Sequence, residues 1–552
     1  MKKTYELITE LDDTLKALGD APTILRDCSS SDAKAYNEAR QSFNRKFDFR
    51  PAAIIYVENT EQVSAIVEFA NTYKEDVVLR VRSGGHDHEA ESNGTDTFLI
   101  DFSKMNEVIH VPKPEQCVNE KDNLFIGIGP GARFTHIKEV LDAHNLGIPH
   151  GTCKTVAIAG FTMGGGWGPW TRKYGMACES LVGATIVLGD GEVKELSIDK
   201  AKDSPEGRLL WALRGGGGLS YGIVTQLRFK AFELPPFTYS FSLKLDFLTS
   251  YFPNITSLQV LKLWEEIIQP GKSPLLIGTN LKINAVHIES LSDRDPNAQL
   301  PCAINAYLAG GATEFVQTIF DWLEILAQQI KQPLLGSSHL DSLSASLDNT
   351  NLAQSWIEEK VEELTIDENA RNWRFESWDR SYHHLGLDSD GPAPHKITSR
   401  LADKNWDNES REALICSLQS PLLIPKKEDD LNEYGIHNYI TIGAITGDFY
   451  GTQNNSEEGQ DAIGSAFPYK DRLFTIQYQA WWNEFLNPEG QLTIDESAAL
   501  EHTIKNRVYS NRTEDWIEQS RDFDIPHTGG AFISFKDSSV TTKNTLVLAM
   551  KI

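Results

Sequence analysis

Two residues carry unusual chemistry for their surroundings, a thiol and an imidazole, each set in nearly bare backbone. Cys153 opens the stretch GTCKTVAIAGFTMGGGWG (151–168), and His86 closes RSGGH (82–86). A thiolate and an imidazole are the side chains nucleophilic enough near neutral pH to add to an electron-poor ring. A lone cysteine also serves as half of a disulfide, as a metal ligand or as a buried structural thiol. His86-Asp87-His88 has HxH spacing, which puts both rings on one side of a strand. No clear third ligand accompanies them, and no metal is expected. The six cysteines (Cys28, Cys117, Cys153, Cys178, Cys302 and Cys416) form no CxxC pair, so neither a zinc knuckle nor a disulfide framework is suggested.

Glycine surrounds the reactive pair. Four clusters fall in the first 225 residues: Gly84-Gly85, the run from Gly127 to Gly131, Gly164-Gly165-Gly166, and Gly215 to Gly218. Bare backbone lets N–H groups turn toward a ligand and approach it closely, which suits a pyrophosphate. None of the clusters is a dinucleotide fingerprint, because GGGWG is not GxGxxG between a strand and a helix. No P-loop of the GxxxxGK[ST] form is present either.

The elements that must position these loops follow from the hydrophobic pattern. Residues 52–88 read strand, helix, strand, with Val63, Ile66, Val67 and Ala70 at helical spacing after the caps Asn59 and Thr60. FLIDF (98–102) and LFIGIG (124–129) are further strands, and LVGATIVLGDGEVKEL (181–196) is a hairpin. After Pro235-Pro236 the character changes. Longer helical patterns such as 313–330 alternate with strands at 438–445 and 473–482, and the hydrophilic stretch 446–461 predicts a loop. The reading is α+β in two domains, 1–235 and 236–500, with 501–552 returning in part to the first.

Composition narrows the partners. A chain of 552 residues is too long for one core. The net charge of -26 repels nucleic acid and anionic membrane, so neither is an expected partner. The N-terminal MKKTYELITELDDTLKALGD lacks an apolar core and reads as an amphipathic helix, not a signal peptide; a cytoplasmic location is expected. No run of about 18 apolar residues exists to span a membrane.

The segments RSGGHDHEAESNG (82–94), 151–193 and WALRGGGGLSYGIVT (211–225) resemble, in order, three signature segments of the berberine-bridge-enzyme-like oxidases. These are flavoproteins of the vanillyl-alcohol-oxidase superfamily. The resemblance is strong over 48–235 and looser over 237–535, for example at AFPYKDRLFTIQYQAWW (466–482). It implies a PCMH-type FAD-binding domain and a substrate domain with an antiparallel sheet flanked by helices. It implies FAD attached twice, through His86 to the 8α-methyl carbon and through Cys153 to C6. Arg82, Ser83, Gly84, Gly85, Val156, Gly160, Gly164, Gly165, Gly166, Gly168, Gly222, Ile223 and Val224 would complete the cofactor site. Val156 stands where the family's small residue is associated with oxygen access. The implied reaction takes a hydride from a hydroxyl or C–H carbon of a small molecule to flavin N5. O2 then takes the electrons, giving H2O2.

Trp and Tyr in the second domain favour a carbohydrate or glycosylated metabolite as substrate. A tailoring oxidase of secondary metabolism and a catalytically impaired flavin-binding remnant are the alternatives. His88 stands where the family has an aromatic, and Phe161 where many members have a histidine against the flavin. Past FISFKD the family continues with a return segment that carries a tyrosine base, whereas this chain reads to LVLAMKI and stops. The expectation is a truncated C-terminus, with a frameshift as its origin. Asp448 and Tyr478 are then the candidate bases.

Overall fold

The computed structural model describes residues 3–19, 21–26, 33–111, 124–218, 221–332, 350–367, 391–425, 434–453, 463–483, 496–535 and 537. Strands Ala53–Tyr56, Phe98–Asp101 and Leu79–Arg82 are parallel neighbours in that order, with Thr23–Arg26 antiparallel at the edge. Parallel strands need a crossover, and helix Thr60–Thr72 supplies it. The Asn59 side chain caps it by accepting from the Gln62 amide, and Val63, Ile66, Val67 and Phe69 are buried. The amphipathic reading of the N-terminus holds as well: helix Thr4–Lys16 buries Leu7, Ile8, Leu11 and Leu15 in the same core.

A second sheet is wholly antiparallel. Its order is Val108–His110, Phe125–Ile128, Ile223–Lys230, Leu181–Val187, Val193–Ser197. The last two strands form the hairpin read from the sequence, turning through Gly191 at φ +91.

From Thr238 onward the chain builds one eight-stranded antiparallel sheet. The order is Ile366–Asp367, Thr238–Lys244, Cys302–Ala309, Leu276–Asn284, His437–Ala444, Phe474–Trp481, His395–Ala402, Thr528–Gly529. One face packs on helices Ser257–Ile267, Ala312–Ile330, Asn408–Ser417 and Glu496–Asp522 through Trp264, Trp322, Trp516 and alternate aliphatic strand residues. The other face meets the first domain. Trp167 donates its indole N–H to the Ala444 carbonyl at 2.8 Å, and Trp170 packs on Ile277. The fold is thus α+β with two domains.

Two expectations change. The stretch 446–461 does not open as a loop: helix Asp448–Gln453 starts it, because Phe449 and Tyr450 pack into a cluster with Met176, Cys178 and Phe467. Helix Glu496–Asp522 lies on the eight-stranded sheet, and it is Gly530 to Phe535 that reaches the first domain, with Phe532 in that same cluster. The LVLAMKI segment lies outside the described residues.

Candidate functional site

The turn after strand Leu79–Arg82 brings the two reactive residues together. A Cβ on Gly84 would sit 2.7 Å from the Ala157 amide nitrogen, so only glycine lets the RSGGH turn press on the Cys153–Ala157 loop. Arg82 and Ser83 anchor the turn from behind. Arg82 Nε donates to Asp101 Oδ2 at 2.7 Å with both side chains buried, and the Ser83 hydroxyl donates to the Pro130 carbonyl. His86 Nε2 then lies 2.9 Å from Thr155 Oγ1, and Cys153 Sγ lies 3.4 Å from the same oxygen. One hydroxyl bridges the imidazole and the thiol. Phe43 stacks on the His86 ring at 3.8 Å. Burial is the main cause that drives His86 down to about 3. The charges of His88 and Arg133 add to it, and the Thr155 backbone works against it. The ring is neutral at pH 7 and keeps a nucleophilic lone pair.

His86 and His88 have different hydrogen-bond partners. His88 Nδ1 lies 2.9 Å from Nε2 of His395, at the start of strand His395–Ala402. His395 Nδ1 donates to the Ala393 carbonyl at 2.8 Å, so its Nε2 accepts and His88 Nδ1 is the donor. Burial lowers His88 to about 4 and His395 well below the usual range. The Asn44 amide clamps both, donating to the His88 and His395 carbonyls at 2.6 and 3.0 Å. Among the described residues no three His, Cys, Asp or Glu side chains gather as a metal site.

The glycines divide into three kinds. Gly164, Gly168 and Gly222 are bare because the chain itself comes close: a Cβ there would overlap Ser534 Oγ, the His150 carbonyl or the Val187 carbonyl. Gly165 and Gly166 sit at φ +109 and +81, where other residues are strained. Gly160 has open space, with nothing within 4 Å of its Cβ position, on the short helix Ile158–Met163 just past Cys153. On that helix the buried Thr162 hydroxyl has no partner among the described residues. Ile223 and Val224 open the central strand of the second sheet, paired with Val187 and Ile186. The Val156 carbonyl accepts from the Phe134 amide at 3.0 Å, and Phe161 packs edge-on against Phe134. Two adjacent nucleophiles, open backbone and an unpaired buried hydroxyl form a donor set that fits FAD.

Opposite this loop stands a polar wall on the eight-stranded sheet. Register aligns Lys282, Thr441, Gln477 and Ser399 in one row and Asn284, Tyr439, Gln479 and Ile397 in the next. The Lys282 ammonium lies 3.4 Å from the Tyr439 ring centre. The Tyr439 hydroxyl donates to Gln479 Oε1 at 3.0 Å, which also accepts the Trp481 indole N–H at 3.1 Å. Trp481 in turn touches Phe43 and His395, so wall and loop are continuous.

Neither candidate base read from the sequence is on this wall. Tyr478 points to the helices, bonded to the Ser417 hydroxyl at 2.7 Å and edge-on to Trp516. Asp448 begins a helix, and its charge acts on buried Arg172. The sequence reading passed over Thr155, His395, Tyr439 and Lys282. Thr155 was within reach, two residues from Cys153, whereas the others depend on long-range register.

Fold and site together fit a two-domain protein with an FAD binding domain. The FAD binding domain family matches residues 51–197. Glucooligosaccharide oxidase from Sarocladium strictum is 28% identical over 257 residues, 46% of this chain and 47% of that protein. Berberine bridge enzyme-like 21 from Arabidopsis thaliana is 31% identical over 195 residues, 35% of this chain and 33% of that protein. The matches thus span less than half the length of these relatives. The fold extends further: the glucooligosaccharide oxidase of Acremonium strictum, which has a 6-S-cysteinyl, 8α-N1-histidyl FAD, superposes with TM-score 0.63 at 18% identity. That superposition covers 98% of this chain and 93% of that one. Residues 51–197 thus carry an FAD binding domain, and the chain is similar to berberine-bridge-enzyme-like proteins and oligosaccharide oxidases.

Proposed function

We propose that this protein is an FAD-dependent oxidase of a hydroxylated small molecule, a carbohydrate or glycosylated metabolite, with FAD attached through His86 and Cys153. The observation that carries the reading is the single Thr155 hydroxyl touching both His86 and Cys153. FAD, when bound, would supply the hydride acceptor, with O2 as the final electron acceptor giving H2O2.

The chain's own residues supply position and proton transfer. Amides and hydroxyls of the wall (Asn280, Asn305, Thr441, Gln477 and Gln479) offer donors and acceptors side by side, as a polyhydroxylated substrate needs. Tyr439 takes the proton of the reacting hydroxyl. Its proton-accepting form is the phenolate, which the Lys282 ammonium above the ring favours; in the neutral phenol the hydroxyl donates to Gln479 Oε1. Of Tyr439, Tyr478 and Asp448, only Tyr439 shares a face with Trp481. Packing by Trp481, Phe43 and His395 excludes water from the His86 side.

The test is a panel of mono- and oligosaccharides and glycosides, read by H2O2 release and by anaerobic bleaching of the flavin. Turnover of a sugar hydroxyl with stoichiometric H2O2 supports the reading. A flavin that no member of the panel bleaches overturns it.

A further inference from the structure

We propose that Thr155 is the positioning residue for cofactor attachment: its hydroxyl holds Nε2 of His86, leaves Nδ1 as the bond-forming nitrogen, and orients the Cys153 thiol. The proposal rests on the flavin attachment proposed above. One hydrogen-bond arrangement that these contacts allow leaves Nδ1 free to form the bond. The neutral His86 ring has one N–H and one lone pair. Its Nε2 faces the Thr155 oxygen at 2.9 Å, and the Thr155 backbone favours a proton on the ring. In that arrangement Nε2 carries the hydrogen and donates to Oγ1, and Nδ1 keeps the lone pair. The Thr155 hydroxyl hydrogen is then turned to Cys153 Sγ at 3.4 Å, where it stabilises sulfur as it becomes nucleophilic. Phe43 stacked at 3.8 Å prevents the ring from turning to exchange its two nitrogens.

The attachment balances with dioxygen as the oxidant. Formation of the C–N bond at the ring methyl breaks one methyl C–H bond and one imidazole N–H bond. The two hydrogens and the electron pair reduce one O2 to H2O2. Formation of the C–S bond breaks one aromatic C–H and one S–H bond and reduces a second O2 in the same way. The proton lost from His86 leaves from Nε2, which faces Thr155 Oγ1.

The experiment compares the full chain with Thr155→Val and Thr155→Ser, each purified with its flavin, digested, and analysed as flavin peptides. Mass spectrometry counts the links, and NMR of the histidyl flavin assigns the nitrogen. The unsubstituted chain is expected to give a doubly linked peptide joined through Nδ1 alone. Thr155→Val, which keeps the shape and removes the hydroxyl, is expected to lose the histidyl link or divide it between the two nitrogens. Thr155→Ser is expected to restore the single isomer. A doubly linked, Nδ1-only product from folded Thr155→Val overturns the proposal. If Thr155→Val does not fold, Thr155→Ala, which only removes atoms, is read by the same criteria. Flavin extractable from the unsubstituted chain overturns the attachment reading itself, a separate and distinguishable result.

Discussion

Lys282 and Tyr439 form the contact on which the proton-transfer account turns. A desolvated cation over an aromatic face is worth about 2 kcal/mol. Tyr439→Phe keeps that contact and removes only the hydroxyl. Its kcat is expected to fall by about 10²–10⁴-fold, the usual contribution of a general base, with a smaller change in KM. Steady-state kinetics on the best substrate checks this, and an unchanged kcat excludes Tyr439. The buried imidazoles make a second prediction. In the unfolded chain histidine takes up a proton near 6.5, while native His88 holds out to about 4 and native His395 lies well below the usual range. Because the native pKa values are lowered, the stabilisation is complete above pH 6.5 and is lost as the pH falls below it. Each group removes up to about 1.4 kcal/mol per pH unit. The urea midpoint is expected to be lower at about pH 5 than at about pH 7.5, and less so in His88→Phe.

Elements decide which of these residues can meet. Strand Phe474–Trp481 is buried along its whole length, so its two faces do not separate into polar and apolar in the sequence. A one-residue difference in parity moves a side chain to the opposite face. That is why Tyr478 reads as a candidate base while Gln477 and Gln479 are the residues on the polar wall. The glycine loops were more legible, because bare backbone beside His86 and Cys153 is visible without register. Even there the sequence could not separate Gly160, with open space above it, from Gly164 and Gly168, which the chain itself fills. The turn that carries His86 depends on the buried Arg82–Asp101 pair, and removing one partner of such a pair costs about 3–5 kcal/mol. Arg82→Ala is expected to lose that stability and with it covalent flavin. Denaturant unfolding and the colour of the pellet after acid precipitation check both parts.

At the scale of the whole molecule, the first domain brings the nucleophiles and the second brings the wall. The Asn44 amide holds the His88 loop to the His395 strand, and Trp167 plugs against Ala444 and Gly443. The two-domain α+β architecture and the hairpin were legible from periodicity and turn residues. The His88–His395 contact was not, because those residues lie 307 positions apart and no local pattern marks the pairing. Asn44→Ala leaves two carbonyls without their donor, and it is expected to loosen the domains at about 1–3 kcal/mol. Limited proteolysis between the domains reads that loss. The central claim, that His86 and Cys153 both hold the flavin, is tested most directly by the visible spectrum of acid-precipitated protein. The unsubstituted chain, His86→Ala, Cys153→Ala and the double variant would be compared. Colour that stays in the pellet for the first three and passes to the supernatant only for the double variant is the predicted result. Colour in the supernatant of the unsubstituted chain contradicts it.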